Sequence, residues 1–216
     1  MTDPPKESTY SSVVSRDSIR IAFTLAALND LDVLSADVQG AYLNAQTKEK
    51  IYTIAGLEFG SRAGRPAVIT KALYGLKSSG ARWRDHMATT LREYGYESSK
   101  ADPDVWMKPK TKTNGEKYWK YVLVYVDDIL VISHEPKVFM DYLAKVYTLK
   151  KGSVKEPDAY LGAEIKQYRI PESDDPGKVR WAMSSDLYVK RAIAEVEREL
   201  AQVNQKLITR VTTPLS

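Results

Sequence analysis

Two adjacent acids, Asp127 and Asp128, lie inside the stretch YVLVYVDDILVI, whose other ten residues are apolar or aromatic. A buried carboxylate without a partner is costly, and a second beside it is worse. One continuous buried strand would turn one of the two into the core. A hairpin removes the problem: YVLVYV and ILVIS pair as strands, and the tight turn between them carries both acids to the tip, a place that suits Asp. Two readings stay open at this point. One is a hydrophilic turn and nothing more. The other is a pair of carboxylates presented to a divalent cation, which for phosphoryl transfer needs a third acid from elsewhere. Asp37, in SADVQGAYLN at the end of an apolar segment, is the candidate, with helix capping as its plainer role. Asp102 and Asp104 flank a proline and read as a turn, and Asp174 and Asp175 sit in a polar loop.

The rest of the composition narrows the chemistry. The chain of 216 residues has no cysteine, so disulfides, thiolate zinc sites and cysteine nucleophiles are excluded. Its two histidines, His86 and His134, are far apart in sequence. Any metal is therefore expected to be hard and bound by oxygen, which favours Mg²⁺ or Mn²⁺. No apolar run approaches the roughly 20 residues of a membrane span, and MTDPPKESTY lacks the apolar region of a secretory signal. Net charge is +4, unevenly spread: residues 61–92 hold seven bases against one acid, and residues 108–120 hold five lysines against Glu116. Such patches suit a polyanion or are simply a solvated surface.

The elements that must position the acids can be read from periodicity. SRDSIRIAFTLAALND predicts a helix capped by Ser15 or Asp17, with Ile19, Phe23 and Ala26/Ala27 on one face. LDVLSADVQGAYL reads as a strand running into a turn or short helix at Gly40, KEKIYTIAG as a strand, and residues 60–66 as a loop. SGARWRDHMATTLREYG predicts a helix with Trp83, Met87, Leu91 and Tyr94 on one face and Gly95 as its left-handed exit. DPDVWM turns into a strand, and the Asn-Gly of KTKTNGEKY marks a hairpin. EPKVFMDYLAKVY is helical through Phe139, Tyr142, Leu143 and Val146. AYLGAEIKQY and KVRWAMS form a hairpin across RIPESDDPG, and a long helix starts near Ser185 with the stripe Val189, Ile193, Val196, Leu200 and Val203. Helices mixed with antiparallel hairpins give an α+β class.

Five blocks in order carry a family resemblance: DVQGAYLN, KALYGLKSSGARW, DPDVW, YVDD and YLG. Together they resemble the reverse transcriptase domain of copia-type LTR retrotransposon polyproteins, from about Tyr10 to the terminal TTPLS. The resemblance implies a palm-type polymerase fold, an antiparallel sheet backed by helices, with partial fingers and the start of a thumb. It implies one domain over 1–216: partial fingers and palm at about 10–36 and 43–100, palm core at 37–42 and 101–168, and thumb from 178 to 216. It shifts Asp127 and Asp128 to the functional reading.

The roles it implies are specific. Asp37, Asp127 and Asp128 would hold two Mg²⁺ or Mn²⁺ ions for in-line attack of a primer 3′-hydroxyl on the α-phosphorus of a deoxynucleoside triphosphate, and the Val38 carbonyl would add a ligand. Tyr42 matches the aromatic that excludes a ribose 2′-hydroxyl, with core packing as its plainer role. Tyr125 and Val126 would shape the turn and touch the primer end. Lys77 and Ser78 would lie at the nucleotide, although Ser78 replaces the family's usual Gln. Arg82 and Arg84 would face template or triphosphate, or be solvated helix charges, the reading preferred for Arg84 because Trp83 must point inward. Lys151, or else Lys150, would protonate the departing pyrophosphate. Tyr160, Leu161 and Gly162 match the primer-grip hairpin. Implied partners are an RNA or DNA template with its primer, deoxynucleoside triphosphates, and the integrase and RNase H of the polyprotein, with no membrane. The implied location is a cytoplasmic virus-like particle. The family's upstream basic fingers hairpin and the rest of its thumb are not seen, so the chain reads as truncated at both ends. The alternative function is an inactive remnant with residual nucleic-acid binding.

Overall fold

A computed structural model describes residues 9–169 and 179–207. The chain divides into two compact units, Met1–Glu156 and Pro157–Ser216. Part of RIPESDDPG and all of TRVTTPLS lie outside the described residues. No helix among the described residues is long and apolar enough to cross a membrane.

The first unit begins with α1 (Arg16–Leu28). Of the two expected caps, Ser15 takes the place, its Oγ accepting from the Ser18 N–H at 3.1 Å. Ile19, Ala22, Phe23 and Ala26 recur at helical spacing and are buried. β1 (Asp32–Asp37) follows, then a 3₁₀ turn at Ala41–Asn44. β2 (Gln46–Ile54) pairs with β3 (Pro66–Lys71) in a separate antiparallel ribbon, across a second 3₁₀ segment at Leu57–Arg62. The sequence reading assigns only a loop at 60–66 and leaves β3 out. Its residues are exposed or half-buried, so the pattern of a buried strand face is missing. α2 (Ser79–Glu93) buries Trp83, Met87 and Leu91 along one face, and Gly95, at φ +91°, turns the chain away in a conformation few side chains tolerate.

β4 (Glu97–Ser98), β5 (Val105–Thr111), β6 (Lys117–Tyr125) and β7 (Asp128–Ser133) complete the main sheet, and α3 (Pro136–Val146) covers it. The sheet has five antiparallel strands in the order β1-β7-β6-β5-β4. Its two central strands are buried on both faces. Val122, Val124, Ile129 and Val131 join the α2 and α3 core through Trp83, Met87, Phe139 and Leu143. Leu123, Leu130 and Ile132 point the other way and are equally buried, on strands that α1 contacts at β7. Double-sided burial explains the near-continuous apolar run in the sequence. After α3 the chain returns along β1: Thr148 and Gln39, Leu149 and Val38, and Lys155 and Ser35 are joined by backbone bonds or bridges.

The second unit contains β8 (Ala159–Tyr160), β9 (Ala163–Arg169) and β10 (Val179–Ser184), an antiparallel sheet ordered β10-β9-β8, followed by α4 (Asp186–Gln202). The expected β9–β10 hairpin and final helix are present. None of the α4 residues is buried, and its apolar stripe is exposed at Val189, Ile193 and Val196. The fold is α+β, with antiparallel sheets and helices.

Ser79 ties the loop before α2 in place. Its buried Oγ donates to the Leu73 carbonyl at 2.6 Å and accepts from the Leu73 N–H at 3.0 Å. Ser79→Ala orphans both backbone groups and is expected to cost about 1–3 kcal/mol, read as a lower urea midpoint at unchanged slope.

Candidate active site

The register of β6 against β7 pairs Tyr125 with Asp128 and leaves Val126 and Asp127 as the two turn residues. The sequence reading puts both acids in the turn; the structure keeps Asp127 at the tip but moves Asp128 into the ladder as the first residue of β7, because the turn takes Val126 as its other residue. Val126 has φ +54°. Positive φ at the first central position alone matches a type II′ turn, where Gly is usual. In a β-branched residue it stores strain of roughly 1–3 kcal/mol. Both turn carbonyls are held from outside the ladder: Val126 O accepts from Trp83 Nε1 at 2.7 Å, and Asp127 O from the Val38 N–H at 2.9 Å.

Asp37 closes β1, and the β1–β7 register sets it opposite Asp128. Asp37 and the pair Asp127–Asp128, 90 residues further on, thus come to the same end of the sheet. Their side chains are only partly exposed. Burial pushes the Asp128 carboxyl above its usual range, and the charges of Asp127 and Asp37 push it further, with Lys150 opposing them. Lys150 Nζ stands 3.3 Å from Asp37 Oδ2, and the Lys150 N–H donates to the Asp37 carbonyl at 2.9 Å. Lys151, preferred from the sequence, is exposed and has no such pairing among the described residues. The return of the chain along β1 delivers its neighbour instead.

The remaining predicted residues divide. Val38 is fully buried. Tyr42, in the 3₁₀ turn, lies against Tyr74, ring centroids 4.5 Å apart. Tyr125 is the last ladder residue before the turn, and Val126 is the first turn residue. Lys77 is exposed, whereas Ser78 is buried at 1% exposure. The sequence reading does not single out Tyr74, which is 70% exposed. Burial raises its phenol pKa, as do the nearby charges of Asp127, Tyr42 and Asp37. The one available signal was an aromatic inside KALYGLK. Arg84 is not a solvated charge: its Nε bonds Asp104 Oδ1 at 2.9 Å, and Asp104, which also accepts from Ser12, is 2% exposed. The Arg82 side chain is 11% exposed and lies 3.9 Å from Asp85. Asp102 does form a turn, and it accepts bonds from the Ser15 N–H and Ser18 Oγ at the start of α1. Tyr160, Leu161 and Gly162 belong to the second unit. Leu161 (φ +49°) and Gly162 (φ +77°) make the turn between β8 and β9 there, and two positive φ values match type I′.

The donor set is all oxygen, which fits a hard divalent cation. Among the described residues, the Lys150 ammonium is the cation that stands nearest Asp37, at 3.3 Å from its Oδ2. As they stand, no three acidic or imidazole side chains among the described residues are gathered closely enough to hold a metal ion. Asp37, Asp127 and Asp128 are the residues that would close on one.

Residues 4–174 match the family described as reverse transcriptase (RNA-dependent DNA polymerase). The chain belongs to that family, whose members generally use divalent metal ions. Its relatives are copia-type Pol polyproteins of plant and yeast transposons, as the five blocks implied. It is 28% identical to the Retrovirus-related Pol polyprotein from transposon TNT 1-94 of Nicotiana tabacum, over 96% of this chain and 14% of that protein. It is 27% identical to the corresponding polyprotein from transposon RE1 of Arabidopsis thaliana, over 96% of this chain and 13% of the relative. A putative transposon Ty5-1 protein of Saccharomyces cerevisiae is 29% identical over 61% of this chain and 42% of its own length.

The raised Asp128 pKa fixes the sign of a stability effect. The native state holds this proton more tightly than the unfolded chain, so stability falls as pH rises through the window between the two pKa values. In metal-free buffer, Asp128→Asn is expected to stabilise the fold at neutral pH, with the gain shrinking as pH falls below the carboxylate range. Chemical denaturation across pH checks this, and equal stabilities at neutral pH would refute it.

Proposed function

We propose that this chain carries RNA-directed DNA polymerase chemistry, extending a primer 3′-end with deoxynucleotides. The observation that supports it most is the β1–β7 register, which sets Asp37 against Asp128 with Asp127 in the adjoining turn. Three carboxylates on one rigid sheet end are the arrangement that two-ion phosphoryl transfer needs. Two Mg²⁺ or Mn²⁺ ions bound there would supply activation of the 3′-hydroxyl and neutralisation of the triphosphate and leaving pyrophosphate.

The protein's own residues do the positioning. Asp37, Asp127 and Asp128 would hold the cations, whereas Val38, buried like Ser78, is left out of the ligand set. Tyr42, packed against the tilted ring of Tyr74, forms the wall that a ribose 2′-hydroxyl would strike. Tyr74 and exposed Lys77 take the nucleotide contact first expected of Ser78, because Ser78 is buried. Tyr125 and Val126 contact the primer end, and Tyr160, Leu161 and Gly162 grip the primer. Lys150, already on Asp37, is preferred over Lys151 as proton donor to pyrophosphate.

On this reading the five-stranded sheet with α2 and α3 is the palm, the β2–β3 ribbon belongs to the fingers, and α4 begins the thumb. Substrates are a primed RNA or DNA template and deoxynucleoside triphosphates, and the physiological setting is a retrotransposon polyprotein. This chain covers 14% of one such relative.

Purified protein given poly(rA)/oligo(dT), dTTP and Mg²⁺ or Mn²⁺ is expected to incorporate nucleotide, and Asp127→Asn to lower that by at least about 100-fold. A folded protein that incorporates nothing would favour the alternative, a silent remnant with residual nucleic-acid affinity. Lys150→Ala is expected to lower kcat by about 10²-fold or more, the range of a lost general acid, while Lys151→Ala stays within about twofold. Equal effects of the two would remove Lys150 from the proposed role.

A further inference from the structure

We propose that Trp83 is a positioning residue for the acid cluster: its indole N–H locks the strained turn that carries Asp127 and leads into Asp128, the first residue of β7. The hold on the turn is a matter of geometry; that it serves catalysis rests on the polymerase reading above.

The turn needs an outside hold. Val126 sits at φ +54°, a conformation a β-branched residue keeps only where its surroundings over-determine it. Carbonyls of a two-residue turn point out of the ladder and need other donors. Asp127 O finds the Val38 N–H, and Val126 O finds Trp83 Nε1 at 2.7 Å. The acceptor of the buried indole is thus the carbonyl of the strained residue itself, one residue before the acid pair.

Trp83 is well anchored. It is 2% exposed on the buried face of α2. Its ring meets Tyr147 edge-on, centroids 5.4 Å apart, and the Tyr147 hydroxyl lies 2.6 Å from Thr90 Oγ1, back on α2. Past Tyr147 the chain runs straight into the segment beside β1: Thr148 O accepts from the Gln39 N–H, Leu149 bridges Val38, and the Lys150 N–H donates to Asp37 O. Trp83 therefore holds the turn that bears Asp127 through its N–H, and its ring packs on Tyr147, the residue that leads into the segment bringing Lys150 to Asp37. A tryptophan that only fills space would not aim its N–H at the carbonyl of the strained turn residue.

The test removes the donor and keeps the shape. Trp83→3-benzothienylalanine puts sulfur where the N–H stands, and Trp83→Phe is the encoded counterpart. Two readouts are followed, amide hydrogen exchange at Val38, which donates to Asp127 O, and Mn²⁺ binding by electron paramagnetic resonance. The expected result is a cooperative melt, Val38 exchange faster by about tenfold, and Mn²⁺ bound several-fold more weakly. Wild-type exchange at Val38 in the folded benzothienyl variant would overturn the proposal, whatever the metal does. Faster exchange in a protein whose wild type binds no Mn²⁺ would sink the polymerase reading and leave the turn lock standing. Should neither variant fold, indole N–H exchange in the unmodified protein decides: a Trp83 N–H exchanging as slowly as the Val38 amide supports the lock, and rapid exchange refutes it.

Discussion

Asp37 and Asp128 face each other across the last pair of the β1–β7 ladder, with Asp127 one residue away. Like charges directly opposed across two strands are destabilising. The site exists only because the rest of the unit holds this repulsion in place. Burial of the Asp128 carboxyl sharpens it, and the Lys150 ammonium at 3.3 Å from Asp37 relieves part of it.

The mount is the pair of central strands. β6 and β7 are apolar on both faces, so neither can rotate or slip in register without exposing a full row of side chains. α2 and α3 cover one face, and α1 reaches the other. A two-residue turn is the shortest link between two such strands, and it forces Val126 into positive φ. The same tightness that strains the backbone leaves Asp127 no room to drift. For a reaction that depends on positioning, placing the acids on strand ends and a held turn serves better than a free loop.

Much of this was legible locally. Helical spacing in Ile19, Phe23 and Ala26, and in Trp83, Met87 and Leu91, identified α1 and α2, because one side of each helix meets a core. The cost of burying charge identified the β6–β7 hairpin before any family block was considered. β3 escaped because its ribbon buries little, so its sequence carries no pattern of a buried face. Arg84 was misread because a charge on a helix looks solvated unless its partner is known, and that partner, Asp104, lies 20 residues on. Ser78 was favoured by analogy of position. The loop instead turns that side chain inward and leaves Tyr74 beside the acids.

The sequence by itself determined the ingredients: an α+β chain without cysteine, two adjacent acids at a hairpin, a third on a strand end, and five family blocks in order. These are legible because periodicity, turn chemistry and the cost of buried charge act over a few residues. Only the tertiary structure decided which side chains meet. It chose Lys150 over its neighbour, put Asp37 opposite Asp128, and aimed the Trp83 indole at Val126. Those contacts join residues 43 to 113 positions apart. Strand register and the path of the returning segment set them, and both depend on how the whole core packs.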